Sequence, residues 1–173
     1  MSNPAVIATH SVRADRWLEV RARDHVMRYR RWGTGPSVLL LAAADAPDPL
    51  WPELLEALGA RFRLIVPELS PAEPDPTALL TAFLEGIGTT SAAVVAVDAL
   101  CVAALELALR GGEQIGRLVL VPDGPVEDTG LEGALATVTS PAIPLLVVRR
   151  RLPAGEALPL VTGFLDGGDP PNA

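Results

Sequence analysis

The sequence has 173 residues, of which 49% are hydrophobic, and is therefore long enough for one domain with a sizeable core. It carries 14 basic and 21 acidic residues, a formal net charge of −7, and every basic residue is Arg. An acidic chain without a basic stripe argues against nucleic acid and anionic membranes as partners. Its single cysteine, Cys101, excludes an internal disulfide and fits a reducing, cytoplasmic location.

The first half of the chain predicts a hairpin followed by alternating strands and helices. Residues 17–23 and 26–32 alternate apolar with polar side chains, which is typical of two strands with one solvated face. The continuous apolar run at 38–41 indicates a strand that is covered on both faces. The elements that follow are a helix from the prolines of 47–52 to Gly59, a strand at 62–66 and a helix at 77–87 that Gly86 and Gly88 stop.

The second half is organised around residues 92–110, which predict a buried strand that turns sharply into a helix, with Asp98 at the bend. The later predicted elements are a strand at 117–121, one or two helical turns at 131–138, a strand at 144–148 and a closing helix at 158–165, which Pro159 and Gly163 weaken.

Strands that alternate with helices predict an α/β fold. We expect a three-layer sandwich with a mostly parallel sheet of about seven strands, which the antiparallel hairpin opens. The predicted domain covers residues 17–166, between an N-terminal tail at 1–16 and a C-terminal tail at 167–173.

The order of these elements, with the stretches "YRRWGTGPSVLLL", "RFRLIVPEL", "RLVLV" and "PLLVV", resembles a shortened, diverged α/β-hydrolase without a cap, over about residues 17–150. In that family a strand begins about twenty residues after the nucleophile, and Leu118 follows Asp98 by 20 residues. The resemblance implies that Asp98 occupies the nucleophile position and Asp123 the acid position, as in dehalogenases of this fold. The structural alternative is that Asp98 caps the following helix.

The chain departs from the family pattern around this bend. Gly-x-Ser-x-Gly is replaced by Ala-Val-Asp-Ala-Leu, and we expect the side chain of Leu100 to crowd the turn. The oxyanion-loop positions implied by the resemblance are Ala42 and Ala43, where the family usually has His-Gly, together with Ala99. Cys101, one turn inside the helix, is an alternative nucleophile or an inert buried thiol.

Histidine is the residue that the family's chemistry needs and that this pattern lacks. The two histidines of the sequence, His10 and His25, fall in the predicted tail and hairpin, and we expect neither near Asp98. Without a general base, an ester formed on a carboxylate is not hydrolysed. The sequence therefore predicts a catalytically inactive protein that acts as a binding or assembly module. The alternatives are an esterase- or dehalogenase-type hydrolase that uses Asp98, and a carrier of a small apolar ligand.

The predicted arrangement of strands also bears on metal binding and on self-association. Asp45, Glu68, Asp98 and Asp123 all follow predicted strands at one end of the sheet, where they could hold a divalent cation or lie solvated. We favour solvated carboxylates and predict no metal site and no cofactor. We also expect a homodimer that covers an exposed sheet edge or the uncapped face.

Overall fold

The computed structural model describes residues 17–42, 50–69, 73–110, 114–124, 131–136, 143–148 and 154–169. Its strands are β1 (Trp17–Ala22), β2 (His25–Trp32), β3 (Ser37–Leu41), β4 (Arg63–Pro67), β5 (Ala92–Val97), β6 (Ile115–Val121) and β7 (Leu145–Val147). Its helices are α1 (Leu50–Gly59), α2 (Pro76–Gly86), α3 (Leu100–Arg110), α4 (Leu131–Ala136) and α5 (Ala154–Leu165). The predicted tail at 1–16 lies outside the described residues.

The strands form one sheet in the order β1-β2-β4-β3-β5-β6-β7. β2 runs antiparallel to both β1 and β4, whereas β4, β3, β5, β6 and β7 run parallel to one another. The predicted α/β fold, its seven strands and its N-terminal antiparallel hairpin are confirmed.

The central strands are apolar along most of their length because both of their faces are covered. Along β3, Leu39 and Leu41 face a core shared with α2 and α3. Val38 and Leu40 face a second core, which α1 and α5 close. The sheet is thus the middle layer of the predicted sandwich.

Helix α2 begins and ends with recognisable caps. The carboxylate of Asp75 accepts a hydrogen bond from the backbone N–H of Ala78 at 3.0 Å, and Pro76 takes the first helical position. At the other end Gly88 adopts a φ of +67°, and the N–H of Thr89 donates to the carbonyl of Leu84. This is the Schellman arrangement, in which a left-handed residue satisfies the last carbonyls of a helix.

Gly86, predicted to stop the helix together with Gly88, is the last residue of α2 and also packs against β1. It lies inside the last turn of α2, where an added Cβ would stand 2.9 Å from the backbone oxygen of Arg21 and 2.8 Å from a methyl of Val20. Gly86 therefore lets α2 approach β1 closely, and Gly88 alone supplies the left-handed cap.

Helix α5 begins at Ala154, four residues earlier than predicted, and continues through Pro159. Its inward side chains Ala157, Val161 and Phe164 are almost completely buried in the second core. Burial of this face outweighs the cost of the interior proline, because packing supplies most of a helix's stability in a protein. In the described part of the chain, no helix combines the length and apolar character needed to cross a bilayer.

Candidate active site

Asp98 lies at the bend between β5 and α3 and has a φ of +55°. This left-handed backbone is uncommon for residues other than glycine, although Asp tolerates it better than most. The N–H of Asp98 donates to the carbonyl of Val121 at 3.0 Å, and its own carbonyl accepts from the N–H of Cys101 at 3.1 Å. The bend is therefore tied both to the neighbouring strand β6 and to the helix that follows it.

The backbone of Asp98 differs from that of a helix cap. An N-cap residue usually has an extended backbone, whereas Asp98 is left-handed, and α3 begins two residues later at Leu100. The predicted sharp strand-to-helix turn is confirmed, with the geometry of a nucleophile elbow. The chemical role of the Asp98 side chain stays a prediction.

Leu100 does not prevent the tight turn, contrary to the expectation that its side chain would crowd it. The residue starts α3 and is 1% exposed, within the core between the sheet and helices α2 and α3. Its side chain points away from the bend into the protein, so a large residue is accommodated. Ala99, on the outer side of the turn, is exposed.

The two other predicted positions lie on the strands beside β5. Leu41 pairs with Ala96, so Ala42 continues β3 next to the bend, where it is half-buried. Asp123 is exposed and follows β6, whose last residue Val121 pairs with Val97. The sheet therefore brings Asp98 and Asp123 to the same end of neighbouring strands, while Ala43 lies outside the described residues.

His25 is remote from this end of β5. It opens β2 in the outer hairpin, opposite Ala22 of β1, and is exposed. β2 is separated from β5 by β4 and β3, and three strand spacings amount to about 14 Å. His25 thus cannot act as a base for Asp98, and His10 lies outside the described residues.

Cys101 is a buried, neutral thiol. It is 1% exposed, and its Sγ donates to the carbonyl oxygen of Ala96 at 3.4 Å. Burial, reinforced by the nearby charge of Asp98 and opposed by a backbone hydrogen bond at Val121, raises the pKa of Cys101 from 9.0 to about 12. A thiol in this environment is protonated at neutral pH and is a poor nucleophile.

The acidic residues that the structure describes do not form a cluster of three or more. Glu68 forms a half-exposed ion pair with Arg28 at 3.6 Å, on the β2 side of the sheet. Within the described ranges, no group of three His, Cys, Asp or Glu side chains is arranged to hold a metal ion. Asp45 falls outside them.

The chain superposes on solved structures over about three fifths of its length. An epoxide hydrolase from Vigna radiata superposes with a TM-score of 0.53 at 21% identity, over 61% of this chain and 37% of that one. Naproxen esterase from Bacillus subtilis superposes with a TM-score of 0.54 at 12% identity, over 62% of this chain and 43% of that one. Carboxylesterase CesB from the same organism superposes with a TM-score of 0.54 at 16% identity, over 61% of this chain and 42% of that one.

The chain has the α/β-hydrolase fold. It spans about two fifths of the length of these solved structures. No family model matches the sequence, and no curated protein is significantly similar to it. At these identities the likeness establishes the α/β-hydrolase fold, and function has to be argued from the site itself.

Proposed function

We propose that this α/β-hydrolase-fold chain is a catalytically inactive cytoplasmic protein that acts as a binding or assembly module. One observation carries the proposal: Asp98 stands at a well-formed elbow, while His25, the histidine among the described residues, lies three strands away. In the described part of the chain, the elbow is thus retained without a nearby histidine base, which turnover would need.

The chemistry explains why a missing base is decisive. A carboxylate such as Asp98 can displace a leaving group and form an ester without help. Release of that ester needs a water molecule whose proton is taken by a nearby base, and imidazole is the usual one. Cys101 does not fill this gap, because its thiol is buried and protonated.

The second candidate is an esterase- or dehalogenase-type hydrolase that uses Asp98 with Asp123. The left-handed backbone of Asp98 supports it, because an uncommon conformation that a fold retains is a frequent feature of reactive sites. Asp123 follows the neighbouring strand at the same end of the sheet. This candidate needs a base that the described residues do not provide near Asp98.

Turnover assays separate the two candidates. The chain and an Asp98→Ala variant are incubated with short-chain p-nitrophenyl esters and with haloalkanes, and product is followed over many equivalents of protein. We expect equal, background rates for both proteins with every substrate. Sustained turnover that the Asp98→Ala change abolishes would replace our proposal with the hydrolase.

We further propose that the module assembles as a homodimer through the edge of the sheet at β1. β1 is the outermost strand on its side, and Trp17 on it is 37% exposed. Strand edges offer unpaired backbone groups to a second strand. Light scattering over a dilution series should give twice the 18.1 kDa mass of the chain, and a monomer at every concentration would exclude the dimer.

A further inference from the structure

A polar cleft of about 230 Å³ opens at the end of the sheet opposite to Asp98. Its lining includes residues at which parallel strands begin: Ser37 starts β3, Arg63 starts β4, and Ser91 immediately precedes β5. Ligands of α/β sheets usually bind beyond the carboxyl ends of the strands. The cleft is therefore separate from the elbow and from the usual ligand site of this architecture.

Two arginines from neighbouring strands project into the cleft from the same face of the sheet. Arg31 of β2 pairs with Ile65 of β4, and Ile65 shares its face with Arg63 because side chains alternate along a strand. Arg31 and Arg63 are thus diagonal neighbours, about 7–8 Å apart at their backbones. Ser37 of β3 lies directly beside Arg63, so three adjacent strands form this wall.

No described side chain around this arginine pair neutralises its charge. Neither Arg31 nor Arg63 takes part in an ion pair among the described residues, and no Asp or Glu is present in the described lining of the cleft. A larger cleft of about 460 Å³ beside α2 also contains arginines, but Glu85 lines it with them. The smaller cleft is thus a local positive site on an acidic chain.

The loop that follows α2 contributes hydroxyl groups to the cleft. The Schellman cap at Gly88 ends α2 and directs the loop across the start of β5. The loop residues Thr89, Thr90 and Ser91 all line the cleft, together with Ser37 from β3. Hydroxyls donate hydrogen bonds to anions and, unlike carboxylates, do not compete with them for the guanidinium groups.

We propose that this cleft binds a phosphate group, either free phosphate or the phosphate of a small monoester. Guanidinium forks match the geometry of phosphate oxygens, and the surrounding hydroxyls supply further donors to a tetrahedral anion. The small volume fits a phosphate group with few additional atoms. This inference goes beyond the module function and holds whether or not Asp98 is reactive, because the two sites share no residue.

Calorimetric titration of the full chain at low ionic strength tests the phosphate cleft. The probes are inorganic phosphate and phenyl phosphate, and the variants are Arg31→Gln and Arg63→Gln. We expect saturable binding at one site and a loss of affinity of about tenfold or more in each variant, as for a charged hydrogen bond. Tighter binding of phenyl phosphate identifies a monoester as the ligand, and equal binding identifies free phosphate; both support the site.

The matched control is Arg30→Gln, which removes the same charge from the same strand. The guanidinium of Arg30 lies 4.3 Å from the ring of Trp17, on the other face of β2. Its affinity for either probe should stay within about twofold of the unmodified chain. No saturable binding, or an equal loss in Arg30→Gln, would overturn the proposal. Both cleft arginines are exposed, so the variants should fold, which thermal melts verify.

Discussion

The backbone of Asp98 shows how a single residue sets the geometry of the bend. Its φ of +55° is held by hydrogen bonds to Val121 and Cys101 rather than by glycine's conformational freedom. Asp is among the residues that tolerate this region, because its short polar side chain can bond locally. The conformation thus gives a reason for Asp at this position that does not depend on any reaction.

Substitution of Asp98 separates conformation from side-chain chemistry. Asp98→Ala should lower the free energy of unfolding by about 1–2 kcal/mol relative to Asp98→Gly, because alanine is strained at a positive φ and glycine is not. Urea denaturation of both variants measures the difference. Equal stability of the alanine and glycine variants would show that the bend relaxes away from the left-handed region.

The Cys101 thiol makes the free energy of unfolding depend on pH in the alkaline range. Its thiol ionises at about 12 in the folded chain, against 9.0 ordinarily. Below pH 9 the thiol is neutral in both states and its contribution is fully present. Between pH 9 and 12 the unfolded chain ionises first, so that stability is lost as the pH rises.

The Cys101→Ala variant provides the comparison that isolates this effect from other titrating groups. We expect the stability advantage of the unmodified chain over Cys101→Ala to shrink as the pH rises from 9 towards 12. Urea denaturation at several pH values measures it. The prediction fails if the advantage is constant across this range.

At the scale of elements, α2 is fitted against β1 by a glycine. Gly86→Ala should destabilise the protein by roughly 1–3 kcal/mol, since its Cβ would meet the backbone of Arg21 at 2.9 Å. Gly163→Ala in α5 is the matched control: nothing lies within 4 Å of its Cβ, and alanine should stabilise the helix by about 0.5–1 kcal/mol. Thermal unfolding distinguishes these opposite signs, and a neutral Gly86→Ala would contradict the close packing.

The elements were predictable where local pattern and burial agree. The runs within 38–41 and 92–97 indicate strands because both faces are covered, and the bend at Asp98 follows from the strand-helix change in pattern. β6 was predicted two residues short, because Gly116 sits in a bulge between the pairs Ala92–Ile115 and Ala93–Arg117.

The features that the sequence did not predict depend on contacts between distant segments, and a single sequence does not show which segments meet. The role of Gly86 is set by β1, more than sixty residues earlier in the chain. The arginine cleft assembles Arg31, Arg63 and the loop after α2 from separate parts of the sequence. Its only sequence signal is the position of Arg31 and Arg63 in alternating strand patterns, and strand order, which brings them together, is a tertiary property.

At the scale of the whole molecule, the two ends of the sheet carry different features. Asp98, Ala42 and Asp123 lie at or beyond the carboxyl ends of the strands, and the arginine cleft lies at the amino ends. The first end carries the sharp bend at Asp98, while His25 lies on β2, three strands from β5. The central claim is that this fold serves here for binding rather than turnover.

Counting product molecules per chain tests that claim most directly. The protein is incubated with excess haloalkane, released halide is quantified, and the mass of the intact chain is measured in parallel. Our account predicts at most one halide per chain, with any added mass remaining as an ester on Asp98, because His25, the histidine among the described residues, lies three strands away and cannot activate water to release it. Many halides per chain, lost in the Asp98→Ala variant, would contradict the account.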